Sequence, residues 1–209
     1  CQREAVETVI YLNEILAAGK HPGFKPKLPP DDFQALVAGG KPSFVREREP
    51  KVFPTLVDVP NEAGLLPLRR YGCKMATGSG KTVVMAMLIA WAFCNRGRAP
   101  GDDRFPNAAL VVCPNLTIHQ RLQVLRTDRE DSYYQAFDLV PAPLVPELNK
   151  GRVLIGNWHK FAPEGPHVEN GKSYVVVNKG EESADAFARR VLGDLYDRAP
   201  IMVLNDEAH

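Results

Sequence analysis

The stretch MATGSGKT, residues 75–82, decides the fold, because two glycines, a lysine and a threonine stand together between two apolar stretches. A phosphate-binding loop needs backbone N–H groups that point inward around the anion, and glycines permit this curl without a side chain in the way. The following helix presents its positive N-terminus, a lysine reaches the β and γ phosphates, and a hydroxyl holds Mg²⁺. Gly78, Gly80, Lys81 and Thr82 supply these parts, so the stretch predicts a nucleotide-binding loop.

The surroundings of the loop favour this interpretation over a plain turn. The general pattern G-x-x-x-x-G-K-[ST] has glycine where this chain has Met75, and the alternative is a Gly/Ser turn that caps an ordinary helix. A strand predicted over residues 69–75 and an apolar helix predicted over 82–95 give the context that the motif demands. We therefore also expect Thr77 and Ser79 to line the nucleotide site.

A second motif, IMVLNDEAH, occupies residues 201–209. An ATPase needs a carboxylate at the end of a neighbouring strand to hold Mg²⁺, and a group that orients the attacking water. We assign Asp206 to the metal together with Thr82, Glu207 to the water, and His209 to a relay near the γ phosphate. By themselves, two acids after a strand are usually a solvated turn. Their combination with the glycine loop favours a catalytic function.

The distribution of apolar runs predicts an α/β fold. Strands are expected over the runs that lack polar alternation, at residues 108–113, 152–157, 174–178 and 201–205. Helices are expected over residues 2–18, 82–95, 116–126 and from a cap at Ser183 to about 196. Buried strands separated by helices predict a mostly parallel sheet that helices cover on both faces.

A proline-rich segment over residues 20–67 interrupts this pattern. It holds nine of the chain's 18 prolines, which favours irregular or extended structure. It is either a surface insertion or a loop for specificity or a partner, and both interpretations stay open.

Composition narrows the class of protein. With 44% hydrophobic residues, 24% charged residues and a net charge of +1, the chain is typical of a globular domain, and a nucleic-acid partner is neither demanded nor excluded. No apolar run approaches the roughly 20 residues that span a bilayer, so we expect no membrane partner. Cys73, Cys94 and Cys113 lie in apolar surroundings and predict buried thiols in a reducing, cytoplasmic compartment. Since the chain does not begin with Met and stops on a motif, we expect a piece of a longer protein.

The two motifs together resemble motifs I and II of superfamily 2 helicases and translocases. The close resemblance is to the DEAD/DEAH-box family that includes the Res subunit of type III restriction enzymes, whose own loop often has the sequence M-A-T-G-x-G-K-T. CQREAVET at residues 1–8 is similar to the family's glutamine motif, and it implies that Gln2 contacts adenine. LVVCPNLTIHQRLQVL at 110–125 resembles motif Ia, and VLIGNWHKF at 153–161 occupies the place of a motif that touches the nucleic-acid backbone. The resemblance implies one N-terminal RecA-like lobe over 1–209.

The resemblance also implies a set of nucleic-acid contacts at the ends of strands, where loops of a parallel sheet gather ligands. The set comprises Pro114, Asn115, Thr117, Trp158, His159 and Lys160. Trp158 would stack on a base, with core packing as the alternative, and the alternative for His159 is a surface histidine. Arg121, Arg126 and Arg129 favour a solvated face over a groove-reading one.

The function implied is Mg²⁺-dependent ATP hydrolysis coupled to movement on duplex DNA, in the service of restriction. The partners implied are a second RecA-like lobe with arginine fingers, a nuclease domain and a methyltransferase subunit for modification. One alternative is a nucleotide-binding scaffold without motor activity. A small-molecule P-loop kinase is the other alternative, and Glu207 argues against it because the residue suits activation of water.

Overall fold

The computed structural model describes residues 2–16, 31–32, 71–161 and 182–206. The chain divides into two compact units, Cys1–Ser79 and Gly80–His209. The strand expected at 174–178 lies outside the described residues, as does the proline-rich segment except for residues 31–32, which are helical.

The first unit begins with the helix that the sequence predicts. Helix α1 covers Gln2–Ile10 and continues as a π-helical turn over Tyr11–Leu16. Val6 is buried on its apolar side, while Arg3 and Glu7 pair at 2.6 Å across one turn of the exposed side. The amphipathic pattern therefore gives a helix over the described part of the predicted range.

Residues 71–75 do not form the strand predicted over residues 69–75. The described part has no strand assignment, and Gly72, Cys73 and Lys74 are exposed. A strand needs a ladder partner, and the sequence YGCKM has no β-branched residue to favour the extended, half-buried state. For the same reason the prediction of a buried Cys73 is wrong, whereas Cys94 and Cys113 are buried as expected.

The described residues of the second unit centre on a parallel three-stranded sheet. Strands β1 (Ala108–Cys113), β2 (Arg152–Asn157) and β3 (Ile201–Asn205) coincide with three predicted runs. The sheet has the order β2-β1-β3, with both neighbours parallel to β1. Five of the six residues of β1 are buried, as the absence of polar alternation predicts for a central strand.

Helices pack on both faces of this sheet. On one face, helix α2 (Lys81–Arg98) brings Ile89 and Phe93 against Val111 and Ile155. On the opposite face, Leu195 packs against Leu110, just after helix α6 (Ala184–Leu192) and in the 3₁₀ turn Gly193–Leu195. The α/β fold with a parallel sheet and helices on both faces is confirmed.

Short helices fill the connections between strands. Helix α3 (Leu116–Leu122) follows β1 and continues as a 3₁₀ turn over Gln123–Leu125. Helices α4 (Tyr133–Ala136) and α5 (Val145–Lys150) stand before β2 and are absent from the sequence-based prediction. As predicted, Ser183 caps α6, because its Oγ accepts a hydrogen bond from the Ala186 N–H at 3.2 Å. No helix in the described part of the chain is long and apolar enough to cross a membrane.

Candidate nucleotide-binding site and nucleic-acid edge

The glycine loop begins with a tight turn over residues 76–79, in the first unit. Both the N–H and the Oγ of Ser79 donate to the Ala76 carbonyl, at 3.2 and 2.6 Å. Gly78 has φ +74°, a left-handed backbone that residues with side chains rarely adopt. Thr77 and Gly78 are exposed at the tip of the turn. Because Met75 precedes this turn, the missing first glycine of the general pattern does not prevent the curl.

Gln2 lies beside this turn although it is 77 positions away from Ser79 in the sequence. Its side-chain amide donates to the Ser79 carbonyl at 2.9 Å. Both residues belong to the first unit, and Gln2 is exposed. Within this unit, the glutamine motif and the turn of the glycine loop are therefore in contact, although the proline-rich segment lies between them in the sequence. A contact between Gln2 and adenine stays a prediction.

Helix α2 opens the second unit directly after the turn. Gly80, at its N-terminus, is left-handed with φ 88° and ψ 35°, and no side chain caps the helix. The first hydrogen bond within the helix runs from the Val84 N–H to the Gly80 carbonyl at 3.1 Å, which leaves the N–H groups of residues 81–83 without an acceptor inside the helix. Lys81 and Thr82 stand half-buried in this first turn. Unused donors and the positive helix end suit an anion.

Asp206 stands at the carboxyl end of β3, next to the end of β1. Its N–H donates to the Val112 carbonyl at 2.9 Å, which extends the ladder by one residue. Burial, and then the charge of Asp206, raise the pKa of the Cys113 thiol at the end of β1. Glu207 and His209 lie outside the described residues, and their predicted functions stay predictions.

The carboxyl ends of β1 and β2 bring the two predicted nucleic-acid segments to one edge of the sheet. Cys113 at the end of β1 is in register with Asn157 at the end of β2. The residues that follow each strand are therefore neighbours across this edge: Pro114, Asn115 and Thr117 after β1, and Trp158, His159 and Lys160 after β2. We call these six residues the DNA edge, after the nucleic-acid contact that the sequence predicts for them. All are exposed except Pro114, which is half-buried.

Local hydrogen bonds shape both segments of the DNA edge. Asn115 caps α3 by accepting the Ile118 N–H on its Oδ1 at 2.9 Å, so its amide nitrogen, which has no acceptor in the described ranges, is available as a donor. The side chain of Asn157 accepts the His159 N–H at 3.1 Å and so starts the 3₁₀ turn Trp158–Phe161.

Trp158 projects from this turn rather than into the core. Its side chain is 52% exposed, which argues against core packing. The ring centroids of Trp158 and His159 lie 4.1 Å apart with the ring planes tilted by 33°, so His159 lies over part of one face of the indole. An exposed aromatic ring suits stacking on a base.

A sequence match identifies the protein family to which the chain belongs. The sequence model of the family described as "Type III restriction enzyme, res subunit" matches residues 67–209, more than half of the chain. The chain belongs to this family. Its Res domain is an ATP-binding, helicase-like module with a RecA-like P-loop fold. No curated protein and no solved structure matches the chain.

Membership in the Res family implies nucleotide binding, interaction with DNA and cooperation with further domains or subunits. The match includes the glycine loop, the DNA edge and the stretch around Asp206. It begins at residue 67, the last residue of the proline-rich segment, so Gln2 lies outside it.

The donor set of the Res domain fits the Mg²⁺ ion that its fold implies. Thr82 offers a hydroxyl at the start of α2, and Asp206 offers a carboxylate at the end of β3. Mg²⁺ prefers such oxygens, and it usually takes one or two protein ligands beside phosphates and waters. Among the described residues, no group of three or more His, Cys, Asp or Glu side chains forms a metal cage. The chemistry therefore fits a metal that binds with the nucleotide.

Two residues near the DNA edge have environments that the sequence does not predict. Leu116 is 72% exposed at the start of α3, although a leucine in an apolar stretch is normally assigned to a core. His119 places its Nε2 3.1 Å from the Ile155 carbonyl and thereby ties α3 to β2. The spacing of apolar residues along the helix gives no signal for the exposure of Leu116, and none for the bond of His119, which depends on where β2 lies.

Proposed function

We propose that this Res domain is the ATP-binding lobe of a DNA-dependent ATPase that translocates on duplex DNA and serves a type III-like restriction endonuclease. The observation that carries the proposal is the parallel order β2-β1-β3, because it gathers Asp206 and the DNA edge at the carboxyl ends of adjacent strands. Ligands of open α/β sheets bind at this end of the strands.

The nucleotide is held by the glycine loop and the first turn of α2. Thr77, Gly78 and Gly80 offer backbone N–H groups to the phosphates, and Lys81 contacts the β and γ phosphates. Ser79 lines the same site and holds its turn through two hydrogen bonds to the Ala76 carbonyl. Gln2 bonds the adenine edge, and its contact with the Ser79 carbonyl links base recognition to the loop. These contacts favour ATP over a nucleotide that lacks the γ phosphate.

Hydrolysis uses the groups after β3 and the hydroxyl of Thr82. Thr82 and Asp206 would hold Mg²⁺, which would supply charge stabilisation at the phosphoryl oxygens. Glu207 orients the attacking water in line with the γ phosphate and accepts its proton, and His209 relays contacts from that phosphate. A second lobe supplies arginine fingers, which are worth roughly 10³–10⁵ in rate in related NTPases.

The DNA edge contacts chiefly the sugar-phosphate backbone of the duplex. Asn115, Thr117, His159 and Lys160 offer donors to phosphates, and Trp158 offers a stacking surface for a base. Phosphate contacts fix the register of a protein on DNA without reading its sequence, as a translocase requires. A separate nuclease domain and a modification subunit complete the restriction activity.

Substitution of Lys81 tests the nucleotide part of the proposal. We expect Lys81→Ala in the full-length protein to weaken binding of a fluorescent Mg-ATP analogue by more than tenfold, since a hydrogen bond to a charged group contributes about 1.5–3 kcal/mol. The matched control is Lys74→Ala, because Lys74 is exposed and stands outside the loop. An unchanged dissociation constant for Lys81→Ala, with both variants folded, would contradict the proposed loop.

A further inference from the structure

Three arginines lie on or just after α3, and they differ in whether a carboxylate pairs with them. Arg126 makes two hydrogen bonds to the carboxylate of Asp128, at 3.0 and 2.6 Å. Arg129 makes the same pair of bonds to Asp131, at 2.6 and 2.9 Å. A guanidinium whose fork already holds a carboxylate has little left to offer a phosphate.

Arg121 differs from both, because its side chain is exposed and no carboxylate lies within ion-pair distance of it among the residues that the structure describes. It stands in the last turn of α3, four residues after Thr117 of the DNA edge. Residues four apart share one face of a helix. The free guanidinium therefore continues the DNA edge along α3.

The position of α3 against the sheet is fixed at several points. Asn115 caps its start, His119 bonds the Ile155 carbonyl of β2, and Leu122 is 2% exposed in the core. The position of Arg121 is thereby set relative to β2, the strand whose end carries Trp158 and Lys160.

Lys160, across the edge, has a comparable environment. Its carbonyl accepts a hydrogen bond from Arg190 Nη1 at 2.8 Å, which holds the turn. The ammonium group itself pairs with no carboxylate in the described part of the chain. Two cations that pair with no described carboxylate thus flank the same edge, while Arg126 and Arg129 nearby are paired.

We propose that Arg121 is a further DNA-binding residue, which contacts a phosphate next to the one held at Asn115 and Thr117. This inference rests on the proposed binding of duplex DNA. The planar fork of arginine donates two parallel hydrogen bonds to phosphate oxygens. A DNA strand that crosses the edge would continue along the exposed face of α3.

The salt dependence of DNA affinity tests the proposal. Each phosphate that a cation neutralises adds about 0.9 to the slope of log affinity against log salt concentration. We therefore expect Arg121→Gln in the full-length protein to lower the slope for a fluorescent duplex by about 0.9, and to weaken binding roughly eightfold at 0.1 M salt. Arg129→Gln is the matched control, because its guanidinium is already paired, and it should leave the slope unchanged. Lys160→Gln is the reference for the DNA edge.

Three results would overturn the proposal in distinguishable ways. If Lys160→Gln lowers the slope but Arg121→Gln matches the control, Arg121 contacts no phosphate while the DNA edge stands. If Arg121→Gln and Arg129→Gln lower the slope equally, only net charge matters. If all three variants bind DNA like the unmodified protein, or if the protein binds no duplex, the DNA edge does not bind DNA. The proposed contact of Arg121 with a phosphate is then wrong as well.

Discussion

Gly151 offers a sharp test of how the P-loop helix packs against the sheet. Gly151 is buried just before β2, under the ring of Phe93 from α2. Phe93 is itself only 1% exposed. A Cβ added at Gly151 would lie 2.7 Å from Cγ of Phe93 and closer still to Cδ2 and Cε2. Ordinary contact between carbons is about 3.5–4.0 Å, so Gly151→Ala forces the ring or the strand to move by about 1 Å or more.

The expected cost follows from this overlap. Overpacking of a filled core destabilises by about 1–3 kcal/mol, which corresponds to a fall in Tm of roughly 2–12 °C for a chain of this size. The matched control is Gly156→Ala in β2, where an added Cβ meets only Leu110 Cδ1 at 3.9 Å. Thermal unfolding followed by circular dichroism compares the two variants. Equal Tm values would refute the packing of Phe93 on Gly151.

Three further predictions concern Tyr134 and Asn115. The buried Tyr134 hydroxyl donates to the Leu125 carbonyl at 2.8 Å, so Tyr134→Phe should lower the free energy of unfolding by about 1–3 kcal/mol in a urea titration, because a buried carbonyl loses its partner; no change would contradict this bond. Burial raises the pKa of the Tyr134 hydroxyl above its ordinary value of 10.0. The stability that the neutral hydroxyl contributes is therefore present below pH 10 and is lost as the pH rises above it. The unmodified protein should lose more stability between pH 9 and 11 than Tyr134→Phe, and parallel pH profiles of the two would contradict this. Asn115→Asp should keep the cap of α3 and an unchanged Tm yet weaken duplex binding, because it replaces a donor with a negative charge, whereas Asn115→Ala should also destabilise by about 1 kcal/mol; duplex affinity unaffected by Asn115→Asp would remove Asn115 from the DNA edge.

Local patterns predict the elements whose stability depends on their own sequence. The runs 108–113, 152–157 and 201–205 become strands at the predicted residues, because continuous apolar stretches between polar turns have few alternatives. The cap at Ser183 is predicted from residue type alone, since a side-chain oxygen at that place satisfies a free N–H.

Features that depend on distant residues are not accessible in this way. The strand expected at 69–75 has no ladder in the described part, although its position before the loop suggests one. The short helix α5 begins with a proline in its first turn and is too brief to show a period. The bond between His119 and Ile155 joins residues 36 positions apart, and the contact of Phe93 with Gly151 is likewise long-range.

The candidate site divides along the same line. Gly78 and Gly80 are predicted from the motif, and their positive φ values supply the backbone reason for glycine. The pairing of Arg126 and Arg129 supports the solvated face predicted for them, but the sequence places Arg121 in the same class. The structure distinguishes them, because Asp128 pairs with Arg126 and Asp131 pairs with Arg129, whereas no described carboxylate pairs with Arg121.

ATP hydrolysis by the full-length protein, measured with and without duplex DNA and beside Lys81→Ala, shows whether the Res domain works in a DNA-dependent motor. We expect hydrolysis that rises when DNA is added and that disappears in the Lys81→Ala variant. Hydrolysis indifferent to DNA, or absent while Mg-ATP still binds, would contradict a DNA-dependent motor and would instead support a nucleotide-binding scaffold.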